Sequence, residues 1–276
     1  MNPLRFTVAL AGVPVEIRCQ YPQNRRFFRE YLSDSPAALT IAPTRAECAE
    51  IQARYTQIHG DAAKACPDWF WENQALHRKL CEGLLAYDVL LLHASALTLD
   101  GQAFLFTADS GTGKSTHTQF WRERFGERVT VINDDKPLLK VTDGGVFVCG
   151  TPWNGKRRLS RNASAPVRAI VELERDSFNH VERCLDPFKA LYLHALRCAE
   201  PSLSLKVLTL EKAIVERTPF YRLGCNLNPD AAEIAFRGIE RLEAEAASRG
   251  VRRPETESAS RGGECPEIEN VTHSGA

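Results

Sequence analysis

The sequence predicts an α/β fold with a mixed sheet and a small N-terminal α/β region. Apolar runs of strand length alternate with helical patterns along most of the 276 residues. The run at 103–106 enters a glycine-rich loop that leads into a helical segment at 116–125. The preceding run, 90–99, reaches it across Asp100-Gly101, a two-residue connection typical of a tight hairpin. These two strands should be antiparallel neighbours, so the sheet should be mixed rather than wholly parallel.

Composition limits the class of protein. Lys and Arg total 35, and Asp and Glu also total 35, so the zero net charge does not favour nucleic-acid binding. The nine cysteines are scattered and never spaced as Cys-x-x-Cys, which is typical of a reduced cytoplasmic protein. No charged-then-apolar leader follows Met1, and no apolar run approaches the ~20 residues that a membrane span needs. We expect a cytoplasmic protein with no nucleic-acid or membrane partner.

Residues 1–87 are predicted to form the small N-terminal α/β region. Thr44 and Glu47 have the spacing of a capping box that starts a helix running to about His59. A longer helical pattern follows, with apolar side chains at helical spacing. The predicted elements are strands over 6–10, 13–19 and 39–42, and helices over 24–32, 45–59 and 69–87.

Residues 88–248 are predicted to form the main domain. The remainder, 249–276, lacks aromatic residues and is rich in Ser, Gly, Glu, Pro and Arg, which predicts a disordered tail. Besides the two strands at 90–99 and 103–106, the main domain has predicted strands over 129–132, 138–141, 146–149, 167–173 and 220–223, and helices over 116–125, 187–196, 205–216 and 229–247.

The loop from Ala108 to Ser115 matches the P-loop pattern GxxxxGK[ST], with Ala108 in place of the first glycine. Gly111 and Gly113 let backbone N–H groups converge on an anion, and the following helix adds the positive end of its dipole. Lys114 can then reach the outer phosphates, and the Ser115 hydroxyl can ligate Mg²⁺. An ordinary Gly/Ser loop before a helix is the alternative. The predicted nucleotide-binding residues are Asp109, Ser110, Gly111, Thr112, Gly113, Lys114, Ser115 and Thr116.

Two adjacent carboxylates, Asp134 and Asp135, end the predicted strand at 129–132. Their side chains should diverge, so that one faces Mg²⁺ and the other faces an incoming hydroxyl as a base or orienting group. A plain turn is the alternative, because Asn-Asp-Asp-Lys-Pro consists of turn-forming residues.

His93 interrupts the apolar run at 90–99. In the register of a tight hairpin, residues 93 and 108 are near-partners, so the imidazole should lie close to the loop and can orient or polarise a carboxylate. A hydrogen-bonded core histidine is an equally good interpretation. The other six histidines show no spacing typical of metal ligands.

A basic run, Lys156, Arg157 and Arg158, follows a loop rich in Gly and Pro. These cations can clamp a phosphate or an acidic substrate, because fixed positive charge stabilises phosphoryl transfer. A solvated basic turn is the alternative.

Together these motifs resemble the nucleotide core of HPr kinase/phosphorylase and its phosphoenolpyruvate carboxykinase relatives. The resemblance rests on His93-Ala94-Ser95, the loop at 108–115 and Asn133-Asp134-Asp135. The segment Gly150-Thr151-Pro152-Trp153-Asn154-Gly155 narrows it to HPr kinase-like bacterial proteins, a branch that includes tailoring kinases for ribosomally made peptides. It covers roughly residues 90–242. It implies a mixed sheet with an HPr kinase/phosphoenolpyruvate carboxykinase-type P-loop core, and ATP and Mg²⁺ as cofactors.

By this resemblance, His93 and one of Asp134 and Asp135 occupy catalytic positions, while Lys114 and Ser115 occupy the phosphate and Mg²⁺ positions. The expected metal ligands are Ser115 and Asp135. The sequence has no clear counterpart of the C-terminal segment with which HPr kinases grip their protein substrate, so HPr itself is not the expected substrate. The chain is also much shorter than a phosphoenolpyruvate carboxykinase, so that reaction is not expected.

We therefore expect an ATP- and Mg²⁺-dependent kinase that transfers the γ-phosphate to a hydroxyl, with a serine of a peptide or protein as the leading acceptor. A small-molecule acceptor is the alternative enzyme. A nucleotide-binding regulatory switch with little turnover is the alternative from another class. The sequence has neither the NKxD motif of guanine-nucleotide switches nor an LSGGQ-like segment of transport ATPases. The oligomeric state is left open.

Overall fold

The structure is a computed structural model that describes residues 3–249. Its helices are α1 (Pro22–Phe27), α2 (Arg45–His59), α3 (Asp68–Leu84), α4 (Lys114–Phe125), α5 (Pro187–Tyr192), α6 (Pro201–Arg217) and α7 (Ala231–Ser248). Its strands are β1 (Leu4–Leu10), β2 (Val13–Cys19), β3 (Leu39–Ile41), β4 (Val89–Leu91), β5 (Ser95–Leu99), β6 (Gln102–Thr107), β7 (Val129–Asn133), β8 (Leu138–Thr142), β9 (Gly145–Cys149), β10 (Ser164–Arg175), β11 (His180–Arg183) and β12 (Phe220–Cys225). The tail predicted at 249–276 lies outside the described residues from position 250 onward.

The architecture is α/β with two sheets. A three-stranded sheet has the order β1-β2-β3. A nine-stranded sheet has the order β4-β8-β9-β10-β6-β5-β7, with β12 beside β10 and β11 beside β12. Within it β5 and β6 are antiparallel, whereas β6 and β10 are parallel. The large sheet is therefore mixed, as the Asp100-Gly101 connection predicts.

The turn between β5 and β6 fixes the register at the centre of the large sheet. Asp100 and Gly101 have φ values of 51° and 79°, and positive φ at both central residues is the requirement of the favoured two-residue hairpin turn. The Arg128 guanidinium donates to the Asp100 carboxylate at 3.0 and 2.5 Å. The resulting register pairs Ser95 with Phe106.

The single strand predicted over 90–99 is wrong in one respect, because the chain forms two strands there. β4 pairs with β8, whereas β5 pairs with β6 and β7. Between them the backbone changes partners: His93 N donates to His194 O at 2.8 Å, and Ala94 N donates to Asp135 O at 3.1 Å. The β5–β6 ladder ends at Ser95, so His93 lies in the break between two strands.

Local signals in the first 87 residues predict their elements well. The β1–β2 hairpin is confirmed, and β3 joins β2 in parallel. The capping box is present, since Glu47 N donates to Thr44 Oγ1 at 3.2 Å and Thr44 N donates to Glu47 Oε2 at 2.7 Å. Helix α2 runs to His59, and the predicted pattern at 69–87 forms α3 followed by a short 3₁₀ turn.

The second half differs from its prediction mainly at element ends. β10 is twelve residues long, and β11 is an additional strand. α6 begins at Pro201, four residues before the predicted start, because the Glu200 carboxylate accepts from Ser202 N and Leu203 N. α5 ends at Tyr192 rather than at residue 196, and α7 begins at Ala231 rather than at residue 229.

Both faces of the large sheet are buried. Leu105 and its β-strand neighbours pack against α5 and α6, whereas Phe104 and Phe106 pack with Trp121 of α4 and Ile239 of α7. A third cluster joins the small sheet and α3 to Val89, Leu138, Cys149 and Trp153. The boundary between residues 87 and 88 stays a prediction, but this cluster shows that apolar packing crosses it.

Glu211 of α6 is a buried carboxylate in this core. The residue is 0% exposed, and neither carboxylate oxygen has a hydrogen-bond partner among the described residues. Arg197 Nη1 lies 4.0 Å from Oε1. Burial raises the pKa of Glu211 to about 7, against the opposing charge of Arg197.

This shift predicts that stability falls as the pH rises. The folded-state pKa lies above the ordinary value of 4.5, so the folded protein holds the proton more tightly than the unfolded chain does. The contribution is complete below pH 4.5 and is lost as the pH rises through 7. We expect this group to lower the free energy of unfolding by about 3 kcal/mol over that range. Urea unfolding at several pH values should show a flatter profile for Glu211→Gln, and an unchanged slope would contradict the assignment.

Candidate functional site

The glycine-rich loop joins the end of β6 to the start of α4. Gly111 and Gly113 have φ values of 83° and 132°, in the region that side chains other than glycine rarely adopt. Thr112 N donates to Asp109 O at 3.2 Å, and His117 N makes the first helical hydrogen bond to Gly113 O at 2.9 Å. The loop thus has the strand, turn and helix order that its sequence pattern requires.

Seven of the eight predicted nucleotide-binding residues are at least partly exposed at this loop. Asp109, Ser110, Gly111 and Ser115 are exposed, while Thr112, Gly113 and Thr116 are partly exposed. The backbone N–H groups of the first turn of α4 have no hydrogen-bond acceptor within the helix, as at any helix start. An anion at this position would meet both these donors and the positive end of the helix dipole.

Lys114 is buried beneath the loop. Its ammonium donates to Ala108 O at 2.7 Å and lies 3.5 Å from Asp109 O. Burial lowers the pKa of Lys114, whereas the charges of Asp135 and Asp109 oppose the shift. The lysine therefore interacts electrostatically with Asp135 as well as with the loop.

Asp135 and His93 form a pair at the end of β7. The distance from His93 Nε2 to Asp135 Oδ1 is 3.2 Å, and Lys136 Nζ lies 3.8 Å from the other carboxylate oxygen. Burial by itself raises the pKa of Asp135, but the His93 hydrogen bond and the charges of Lys136, His93 and Lys114 outweigh it, so the pKa is lowered. Asp135 is therefore a half-buried carboxylate that is ionised at neutral pH.

Asp134 faces different partners. The residue is only 4% exposed, and its Oδ1 accepts from Gly155 N at 2.6 Å. Its Oδ2 has no hydrogen-bond partner among the described residues. A Cβ at position 155 would lie 3.2 Å from this oxygen, so Gly155 allows the close approach. The two adjacent carboxylates thus diverge, one toward His93 and the other toward the loop after β9.

Asn133 is a site residue to which the sequence analysis assigned no role of its own. Its side-chain amide donates toward Thr151 O at 3.0 Å and Trp153 O at 3.1 Å. Its Oδ1 accepts from Asp135 N at 2.9 Å and Lys136 N at 2.6 Å. Asn133 is 0% exposed, so it fixes the Asp135 turn to the loop at 151–153. Its turn-forming character was the available signal.

A cleft of about 250 Å³ lies beside the glycine-rich loop. It is lined by Asp109 and Thr112 of the loop, by Glu172 and Arg175 of β10, and by His194 after α5. The last three were not predicted, because nothing local marks them. Glu172 and Arg175 reach the loop through the parallel β6–β10 pairing, which sets Glu172 beside Thr107. His194 lies beside His93, whose backbone N donates to His194 O.

The charged and titratable side chains of this cleft influence one another. Arg175 Nη2 donates to Gly111 O at 2.7 Å. Burial and the neighbouring Glu174 raise the pKa of Glu172, against the charges of Lys189 and Arg222. Burial lowers the pKa of His194, and the charges of Lys114 and His93 lower it further. The cleft therefore combines the carboxyl groups of Asp109, Glu172 and Glu174 with a guanidinium and an imidazole.

The basic run lies on a different side of the site. Lys156, Arg157 and Arg158 are exposed, and Arg157 Nη1 donates to Gln119 Oε1 of α4 at 2.9 Å. None of the three lines the cleft. Their role as a clamp stays a prediction.

The described residues contain no group of three or more His, Cys, Asp or Glu side chains that could hold a metal ion. A site of the Mg²⁺ type needs fewer protein ligands, because Mg²⁺ keeps several waters and uses one or two carboxylates together with substrate phosphates. The Ser115 hydroxyl and the ionised Asp135 carboxylate are oxygen donors of the kind it prefers. Among residues 3–249 no helix has the length and apolarity needed to cross a bilayer.

The His93–Asp135 pair predicts a measurable pKa change. Because His93 lowers the pKa of Asp135 through a hydrogen bond and a charge, His93→Ala should raise it. The pKa can be read from the ¹³C shift of the Asp135 carboxyl carbon as a function of pH. His59→Ala, on the exposed end of α2, is the matched control and should leave the pKa unchanged. An Asp135 pKa that is equal in both variants would show that the contact is not formed.

The chain was compared with protein-family models, curated proteins and solved structures. No protein-family model matches the sequence, and no curated protein matches it. The solved structure of the Hpr(Ser) kinase/phosphatase from Coxiella burnetii matches with a TM-score of 0.35 and 15% identity, over 58% of this chain and 95% of that chain.

Proposed function

We propose that this protein is an ATP- and Mg²⁺-dependent kinase that transfers the γ-phosphate to a hydroxyl, most readily a serine of a peptide or protein. One observation carries the proposal: an anion-binding type of loop, with a buried lysine, lies within electrostatic range of an ionised aspartate held by a histidine. Phosphoryl transfer depends mainly on positioning and charge stabilisation. These groups are the kind that such a reaction needs.

The glycine-rich loop would bind the phosphates of ATP. Backbone N–H groups from Asp109 to Thr116 would donate to phosphate oxygens at the start of α4. Lys114 would leave the loop carbonyls that it contacts here and turn its ammonium to the outer phosphates. The lowered pKa of a buried lysine reflects a charge without a full counterion, which a phosphate would supply.

Mg²⁺, when bound, neutralises charge on the transferring phosphate. Ser115 and Asp135 are the residues that would hold it, together with phosphate oxygens and water. No closed cage of protein ligands is required for this mode of binding.

In the alternative to holding Mg²⁺, Asp135 would accept the proton of the acceptor hydroxyl. Its lowered pKa keeps the carboxylate ionised. His93 contacts Oδ1, and Oδ2 lies 3.8 Å from Lys136 Nζ. A positioned base of this kind contributes about 10²–10⁴ in rate. His93 would orient the carboxylate. Asp134, which is bound by Gly155 N, would hold the loop after β9 in place.

The surface beside the cleft supports a peptide acceptor over a small metabolite. Leu193 lines the cleft and is 53% exposed. Phe188 and Tyr192, on the preceding helix α5, stack with ring centroids 6.1 Å apart and are also exposed. Apolar side chains at the exposed rim of a cleft suit the residues that flank an acceptor serine, whereas a small metabolite is usually bound in a concave pocket that covers most of its surface.

Lys114→Ala should lower phosphate transfer by at least ~10²-fold, because the variant lacks the ammonium that would stabilise the transferring phosphate. The measurement is transfer from γ-labelled ATP with Mg²⁺ to host-cell extract split into peptide and small-molecule fractions. Lys64→Ala, an exposed lysine paired with Asp61, is the control and should keep full activity. Label confined to small molecules would move the assignment to a metabolite kinase. ATP binding without any transfer would favour a nucleotide-binding switch.

Asp135→Asn should lower kcat by ~10²-fold or more, whereas Asp134→Asn should keep at least about a tenth of it, since an amide oxygen can still accept from Gly155 N. Both changes preserve side-chain size. A Mg²⁺ titration of the Asp135→Asn variant separates two roles: a base leaves the half-saturating Mg²⁺ concentration unchanged, and a metal ligand raises it. Equal losses of kcat in both variants would contradict the division of roles between the two aspartates.

A further inference from the structure

We propose that Asn73, on helix α3 of the N-terminal region, is a positioning residue for the candidate site and acts through the indole of Trp153. The identification of that site as catalytic rests on the proposed function, but the coupling itself does not. Residues 3–87 would then be part of the machinery that shapes the Asp135 turn. The inference rests on a chain of buried hydrogen bonds that runs from the N-terminal region to the site.

The chain begins at Glu72, a carboxylate that is 4% exposed. Its oxygens accept from Gln20 N at 2.6 Å, Tyr21 N at 3.1 Å and Asn24 Nδ2 at 2.7 Å. A buried charge with this many donors is held rigidly, because losing any one of them would leave it poorly solvated. Glu72 therefore fixes the orientation of the Asn24 amide.

Asn24 in turn orients the side chain of Asn73 through a hydrogen bond. Asn24 Oδ1 accepts from Asn73 Nδ2 at 3.0 Å, and Asn73 Oδ1 accepts from Trp153 Nε1 at 3.0 Å. The three residues are 0%, 3% and 7% exposed, respectively, so water cannot easily replace a partner. If the Asn73 amide rotated by half a turn, it would bring its NH₂ against the indole N–H and its oxygen against Asn24 Oδ1. The chain therefore has only one satisfied arrangement.

Trp153 connects this chain to the site. Its ring packs against Phe27, Phe28 and His77, with centroid distances of 5.6, 5.3 and 4.6 Å. Its carbonyl oxygen lies 3.1 Å from Asn133 Nδ2. Asn133 in turn accepts from the backbone N–H groups of Asp135 and Lys136. The indole is thus anchored in the N-terminal region, while the backbone of the same residue supports the turn that carries Asp135.

The test is Trp153→Phe, which removes the indole N–H but keeps an aromatic ring. The matched control is Trp71→Phe, on the same helix as Asn73. Trp71 is 3% exposed, and its Nε1 has no hydrogen-bond partner among the described residues. The two variants lose similar buried area, but only the first loses a hydrogen bond of the chain.

The readout is hydrogen exchange at the amides of Asp135, Lys136 and Gly155, measured at a temperature where each variant is fully folded. We expect ~10-fold faster exchange at these amides in Trp153→Phe, because an orphaned buried Asn73 oxygen destabilises the closed arrangement. Trp71→Phe should leave the rates within ~2-fold of wild type, even though its melting temperature falls.

A double-mutant cycle tests whether the effect passes through Asn73. In an Asn73→Leu background the acceptor is absent, so Trp153→Phe should no longer change the exchange rates. If Trp153→Phe does not fold, Asn73→Ser replaces it, because the serine hydroxyl is too short to reach the indole. The same faster amide exchange is then expected in Asn73→Ser. Unchanged rates in Trp153→Phe, or equal increases in Trp71→Phe, would overturn the proposal.

Activity gives a second readout that separates this proposal from the proposed function. If the wild-type protein transfers phosphate, Trp153→Phe should lower kcat by ~10-fold and leave the KM for ATP unchanged, because the glycine-rich loop keeps its own contacts. An unchanged kcat together with unchanged exchange would overturn the coupling. If the wild-type protein transfers no phosphate, the proposed function fails, and the exchange rates alone decide whether Asn73 positions the loop.

Discussion

The buried side chain of Asn133 is the interaction on which the geometry of the site depends. Its amide nitrogen reaches the loop at 151–153, and its oxygen accepts from the turn at 135–136. Each of these groups would cost about 1–3 kcal/mol if it were buried without a partner. Because one planar amide serves both segments, neither can shift without loss to the other. The direction of the Asp135 carboxylate is therefore set by contacts made at Asn133.

The sequence was a good guide wherever a short segment determines its own conformation. The capping box at Thr44 and Glu47, the turn at Asp100-Gly101 and the glycines at 111 and 113 each act within a few residues. Their backbone angles and caps follow from local chemistry, and the structure has them where the sequence predicts them. The mixed sheet follows from the same hairpin. The α/β class of the fold follows from the chain's own strands and helices.

The remainder was not predictable because it depends on contacts between distant segments. Nothing near Glu172, Arg175 or His194 indicates that these residues line the same cleft as the glycine-rich loop. The break at His93 arises because the chain leaves one strand partner for another. There, backbone N–H groups donate to the carbonyl oxygens of His194 and Asp135, which are distant in sequence. Charged residues at a strand end, such as Glu172 and Arg175, are usually solvated. The sequence pattern alone therefore predicts surface residues at these positions. Nothing near Asn73 indicates its contact with Trp153, which the sequence marks only as part of the segment 150–155 that carries the resemblance.

The β5–β6 hairpin has a consequence for the order in which the molecule is assembled. The segment 95–125 brings together two antiparallel strands, a two-residue turn and helix α4 from neighbouring positions, so loop-closure entropy opposes its formation only weakly. The hydrogen bonds that anchor Trp153 behind the Asp135 turn close much longer loops: Trp153 and Asn73 are 80 residues apart, and Asn24 and Glu72 are 48 apart. Loop-closure entropy opposes contacts of such separation more strongly, which slows their formation. The element that resembles a phosphate cradle can thus exist before the aspartate beside it is held in a fixed direction.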